Sequence, residues 1–117
     1  MLAKANRITR KADFDRLFAA GKPLSHALFR LRVTPNDLDL TRAGIICGKR
    51  IGGAVLRNRT RRRLRAALRQ ALASVPPAWD ILVVVRPAAA TATVADFVCA
   101  LDELLRRGDV VVAPAET

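Results

Sequence analysis

Residues 57–65, Arg-Asn-Arg-Thr-Arg-Arg-Arg-Leu-Arg, hold six arginines in nine positions and no acid. A guanidinium is a planar fork that grips phosphate bidentately and also stacks on a base, which an ammonium does not do. Lysine is absent from the segment. The chemistry on offer is therefore anion binding rather than bond making. On a helical wheel advancing about 100° per residue, Thr60, Leu64, Ala67, Leu68, Ala71 and Leu72 form one apolar arc. Asn58, Arg62, Arg65 and Arg69 stack on the opposite side, Arg59 and Arg63 lie between, and Arg57 and Arg61 border the apolar arc. An ordinary solvated helix face mixes signs, with acid–base pairs four residues apart. None is possible here, because no Asp or Glu occurs between Leu40 and Trp79.

A second set of candidates is aromatic and basic. Phe14 and Phe18 share a helix face, where they either stack on bases, a sequence-tolerant contact, or pack into a core. On the following strand Arg30 and Arg32 alternate with Phe29, Leu31 and Val33, which makes one face basic. Residues for bond making are sparse. His26 is the sole histidine, and a surface or edge position suits it better than a catalytic one. Asp37 and Asp39 sit in turn sequence, where acids serve the backbone. Asp13 and Asp15 point about 200° apart on their helix. No carboxylate cluster for metals and no general base emerges, so neither a catalytic residue nor a metal site is expected in the protein. Cys47 and Cys99 form no C-x-x-C pair, and each reads as a small buried residue in a reducing compartment.

The elements that must position these groups follow from periodicity and breakers. Residues 10–20 form a short amphipathic helix ended by Gly21. Residues 27–33 and 42–48 read as strands separated by the turn chemistry of 35–39, with an extra short strand near 22–25. Gly52-Gly53 precedes the arginine helix, about residues 54–73, and Pro76-Pro77 ends it. The β-branched run 80–86 suits a strand buried on both faces. Thr91 or Thr93 caps a last helix, about 93–107, with Val94, Phe97, Val98, Leu101, Leu104 and Leu105 on one stripe. The expected fold is α/β in the sense of an α+β sandwich. It has a small mixed sheet of about four strands, three helices and a β-α-β crossover carrying the arginine helix.

A chain of 117 residues suits a single domain, 1–117, with one core. Its 21 Lys+Arg against 10 Asp+Glu leave a net charge of +11, placed unevenly. Residues 1–39 carry eight basic and four acidic side chains, 40–79 ten and none, and 80–117 three and six. That asymmetry points to a polyanionic partner on one face. Neither a secretory signal nor a membrane-spanning run is visible, and the expectation is a soluble cytoplasmic protein without membrane contact. Interfacial helices carry bulky or aromatic residues on their apolar face, unlike the Leu/Ala arc here.

The stretch KRIGGAVLRNRTRRRLRAAL, 49–68, resembles the signature of the bacterial ribonuclease P protein component, K-[KR]-x-G-x-A-V-x-R-N-R-x-[KR]-R-x-[IL]-R. Lys49, Arg50, Gly52, Ala54, Val55, Arg57, Asn58, Arg59, Arg61, Arg62, Leu64 and Arg65 all fit. RITRKADFDRLFAAG, 7–21, is similar to the family's RLTKxxDFxxLFxxG, and WDILVVVRP, 79–87, to the strand after the signature. The likeness spans about residues 7–107.

This resemblance implies a noncatalytic subunit bound to a large catalytic RNA, the complex removing the 5′ leader of precursor tRNA by magnesium-dependent hydrolysis. Magnesium would belong to the complex, with no cofactor held by the protein and no obligate protein partner. Lys49, Arg50, Arg57, Asn58, Arg59, Arg61, Arg62, Arg65 and Arg69 would face the catalytic RNA. A cleft between the first helix and the sheet, with Phe14, Phe18, Arg30 and Arg32, would hold the leader. The family's crossover is left-handed, against the general preference. Two positions depart from the family: Arg32 replaces a frequent aromatic, and Gly53 a common Asn. Charge alone leaves a second reading, a noncatalytic RNA chaperone or ribosomal-protein-like binding module, and a third, an autonomous metal nuclease, is opposed by the scarcity of carboxylates.

Overall fold

The computed structural model describes residues 7, 8, 10–36, 40–73 and 78–108. The turn acids Asp37 and Asp39, the Pro76-Pro77 stop and the C-terminal tail lie outside them. Three helices, α1 (Lys11–Ala20), α2 (Ala54–Leu72) and α3 (Val94–Arg107), accompany four strands, β1 (Lys22–Ser25), β2 (Phe29–Pro35), β3 (Arg42–Ile46) and β4 (Trp79–Val85). The sheet runs β1-β2-β4-β3, with β1 antiparallel to β2, β2 antiparallel to β4 and β3 parallel to β4. The connection from β3 to β4 is thus the β-α-β crossover, and α2 lies in it. The expected sandwich of three helices on a four-stranded mixed sheet is the observed fold.

Alternation assigns the two sheet faces. Phe29, Leu31 and Val33 of β2, Ala43 of β3, and Ile81, Val83 and Val85 of β4 join Leu64, Ala67 and Leu68 of α2 and Phe97, Leu101, Leu104 and Leu105 of α3 in the main core. Leu82 points the other way and meets Leu17 of α1 and Ile8 in a smaller cluster, flanked by Phe14, Ile46 and Val84. The run of apolar residues in β4 is therefore explained as read: this strand is covered on both faces. Ile8 also extends the sheet edge, its N–H donating to the Ala43 carbonyl at 2.9 Å.

The helix ends have local causes. Thr93 caps α3 in a reciprocal box: its Oγ1 accepts from the Asp96 N–H at 3.1 Å, and Asp96 Oδ2 accepts from the Thr93 N–H at 2.9 Å. Thr91 instead closes a 3₁₀ turn, Pro87–Thr91. A second 3₁₀ turn, Lys49–Ile51, follows β3 and shortens the strand expected to reach residue 48. Gly52 has φ 139°, a left-handed value, and a Cβ there would lie 2.7 Å from Leu56 Cδ2, so the turn into α2 requires glycine. One expectation is corrected. Cys47 is buried, but Cys99 is exposed on α3, because it falls outside the stripe that packs on the sheet.

Candidate nucleic-acid interface

Helix α2 docks through Thr60, Leu64, Ala67, Leu68 and Ala71, all buried, which is the arc derived from the wheel. The buried Thr60 hydroxyl is satisfied by donating to the Leu56 carbonyl at 2.9 Å. Asn58, Arg59, Arg62 and Arg69 are exposed, while Arg57, Arg61, Arg63 and Arg65 are half-buried. Asn58, Arg61, Arg62 and Arg65 line one recess of about 290 Å³, large enough for a phosphate group.

The decisive question is whether acids from elsewhere in the fold neutralise this helix. Among the described residues the ion pairs are Lys11–Asp15, Arg16–Asp80, Arg42–Asp13, Arg42–Asp80 and Arg107–Glu103. None involves α2. What its arginines reach instead is neutral. Arg61 donates to Asn58 Oδ1 at 3.3 Å and to the Cys47 carbonyl at 3.4 Å, and Arg63 donates to the Ala92 carbonyl at 3.2 Å. Arg57 Nε is buried with no hydrogen-bond partner. The helix start adds to the field: its N-cap is Gly53, without a side-chain cap or an acid in the first turn, so the positive end of the dipole is left open. Burial pushes the Cys47 thiol up, although Arg61 and Arg57 pull against it, so this residue is a neutral neighbour of the basic face.

A second basic area lies on the opposite face of the sheet, beside α1. Phe14 is half-buried over Gly44, where an added Cβ would sit 2.8 Å from Phe14 Cε1. Among the described residues Phe18, 46% accessible, and Val55 are the exposed large apolar side chains. The Arg32 guanidinium carbon stands 5.6 Å from the centre of its ring, a cation–π distance. Phe14, Phe18 and Arg32 are therefore brought to one wall, and the alternative of plain core packing applies to Phe14 more than to Phe18.

Arg30 sits at the far end of the same strand face. With Arg50, Arg86, Ile46, Gly48 and Val84 it lines a cleft of about 410 Å³. Arg50 thus groups with Arg30 rather than with the outer face of α2, and exposed Lys49 precedes it in the 3₁₀ turn. Arg86 was not singled out from the sequence. Its only signal was a lone base ending the apolar run of β4, and its Nε is buried without a hydrogen-bond partner.

Beneath α1 lies a polar cluster the sequence reading also missed. Asp80, fully buried on β4, accepts from Arg42 Nε at 3.0 Å and Nη2 at 2.8 Å, from Asn36 Nδ2 at 2.8 Å, and from Arg16 Nη2. Burial alone would push the Asp80 carboxyl up. The hydrogen bonds from Arg42 and Asn36 and the charges of Arg42 and Arg16 outweigh it, and the group is held below its ordinary value. The hydrogen bond to Asp80 likewise raises Arg42, against its own burial and with help from Asp13.

Among the described residues no group of three or more His, Cys, Asp or Glu side chains is arranged to hold a metal ion. His26 is committed locally, its Nδ1 accepting from the Leu28 N–H at 3.1 Å. No helix among the described residues is long and apolar enough to cross a membrane. Fold and charge together define a small basic α+β protein built to meet a polyanion.

The family model described as Ribonuclease P matches residues 2–109. The ribonuclease P protein component of Dehalococcoides mccartyi is 36% identical over 107 residues, covering 92% of this chain and 88% of that one. The Chloroflexus aggregans protein component is 37% identical over 114 residues, covering 97% and 84%. The solved RNase P protein of Staphylococcus aureus superposes with a TM-score of 0.81 at 31% identity, over 93% of this chain and all of that one. The chain belongs to the ribonuclease P protein family, and its role is that of the protein component of this tRNA-processing ribonucleoprotein.

Proposed function

We propose that the protein uses two separate surfaces in one complex. The outer face of α2, with Asn58, Arg59, Arg62, Arg65 and Arg69 and the flanking Arg57 and Arg61, binds the catalytic RNA. The cleft between α1 and the sheet, with Phe14, Phe18, Arg30 and Arg32, binds the single-stranded 5′ leader of precursor tRNA. Lys49 and Arg50, in the turn that leads into α2, also bind the catalytic RNA, Arg50 from the cleft it lines with Arg30. Hydrolysis belongs to the RNA and its magnesium ions. The protein contributes affinity and orientation, which convert a loose encounter into a positioned one. The free cysteines Cys47 and Cys99 fit a reducing, cytoplasmic setting.

The observation that carries this reading is the absence, among the described residues, of any carboxylate against the α2 arginines. Charge of one sign concentrated on a folded surface destabilises the free protein and is relieved when a polyphosphate lies against it. The test is reconstitution with the cognate ribonuclease P RNA at low magnesium, following leader removal from precursor tRNA. The protein should raise the rate over RNA alone. Equal affinity for unrelated structured RNAs, with no preference for precursor over mature tRNA, would support the chaperone reading instead.

A further inference from the structure

We propose that Asp80 is a positioning residue for the leader cleft, acting through Arg16 and Arg42 to fix the place of α1 on the sheet. This rests on the leader-binding reading given above. In register across the sheet, Asp80 stands between Thr34 of β2 and Arg42 of β3, directly under α1. It is fully buried and receives donors from three different parts of the chain: Arg16 on α1, Asn36 after β2, and Arg42 on β3. Arg42 then passes the connection back to α1, its Nη1 donating to Asp13 Oδ2 at 3.3 Å.

Helix α1 is thus gripped at Asp13 and Arg16, one turn apart on the side that meets the sheet. The four ionised groups, two arginines and two aspartates, balance in charge. That balance is what lets Asp80 stay ionised in a dry site.

The apolar attachment of α1 is thin by comparison. Leu17 is its single buried residue among those described, and its cluster holds Ile8 and Leu82 besides, with Phe14, Ile46 and Val84 only partly buried against it. Such a contact is non-directional and tolerates sliding. A bidentate Arg–carboxylate pair with further donors does not. Phe14 and Phe18 ride on this helix, while Arg30 and Arg32 belong to the strand. The wall they form is therefore held at one end by the polar clamp at Asp13 and Arg16, and at the other by Arg32, which donates to the Phe18 and Gly21 carbonyls.

The test is the double substitution Asp13→Asn with Arg16→Gln. It removes the ionic part of both ties on α1, leaves the Arg42–Asp80 pair and the α2 surface in place, and keeps net charge unchanged. In the reconstituted holoenzyme, kcat/KM is measured for precursor tRNA with a long leader and with a single-nucleotide leader. The variant should lose about fivefold on the long leader, the equivalent of one stacked base at the low end of its range. It should lose nothing on the short one, and its affinity for the RNA subunit should be unchanged. Arg16→Lys, which keeps a charged donor, should recover part of the loss. An equal loss on both leaders, or no loss on either, overturns the proposal. If the wild-type holoenzyme itself shows no leader dependence, the leader-binding reading fails, and the positioning role with it.

Discussion

Arg32 of β2 lies over the ring of Phe18, and its Nη1 donates to the carbonyls of Phe18 at 3.1 Å and Gly21 at 3.4 Å. The carbonyls at the end of α1 have no basic residue in their own last turn, so a strand arginine serves as their cap. Arg32 is therefore already engaged through Nη1, and it holds and backs Phe18.

It follows that Arg32→Gln, which loses both the charge and the planar fork, should weaken leader binding by about two- to fivefold, below the full contribution of a stacked base. The salt dependence of leader binding should be unchanged. Titration of precursor against the holoenzyme at several salt concentrations checks both outcomes. A marked fall in the salt slope would mean that Arg32 does contact phosphate.

Gly44 supplies a steric test of the same wall. An alanine Cβ would meet Phe14 Cε1 at 2.8 Å and Ile8 Cβ at 3.3 Å, so Phe14 must move. Overpacking of this kind costs about 1–3 kcal/mol. Gly44→Ala should lower the urea midpoint and reduce the preference for precursor over mature tRNA, with RNA-subunit affinity preserved. By contrast Phe18→Ala, at an exposed position, should cost the preference with little change in the midpoint.

The Asp80 cluster predicts an acid limb in stability. Its folded carboxyl is held below the ordinary value, so the unfolded chain binds the proton more readily. Its contribution is complete above the ordinary Asp pKa of about 3.9 and drains away as pH falls below that, through the lowered folded value. Urea midpoints measured from neutral pH down to the acid range should fall in that window. Asp80→Asn should be less stable at neutral pH, because Arg42 loses its ionised partner, and should show a flatter acid limb.

How much of this was legible in the sequence depended on whether cause and effect were local. The face of α2 followed from spacing alone, since Thr60, Leu64, Ala67, Leu68 and Ala71 recur at helical period and the arginines fill the remainder. The doubly covered β4 was readable for the same reason, as was a cap at Thr91 or Thr93, of which the structure selects Thr93. Strand order was not, because it depends on pairings between residues tens of positions apart. The Asp80 cluster was hidden for that reason too. Its members, residues 13, 16, 36, 42 and 80, look like ordinary surface polar residues until the sheet brings them together. The grouping of Arg50 with Arg30 and Arg86 likewise arises from the 3₁₀ turn after β3, which no periodicity announces.

If the α2 arginines are held open for RNA, the salt dependence of binding to the cognate RNA subunit reads that directly. Arg62, Arg65 and Arg69 share the outer face and have no acidic partner among the described residues. Replacing all three with alanine should lower the slope of log K against log salt by about two to three, with each surface change altering stability by no more than about 0.5 kcal/mol. An unchanged slope with an intact fold would mean that the RNA phosphates do not lie on this face of α2.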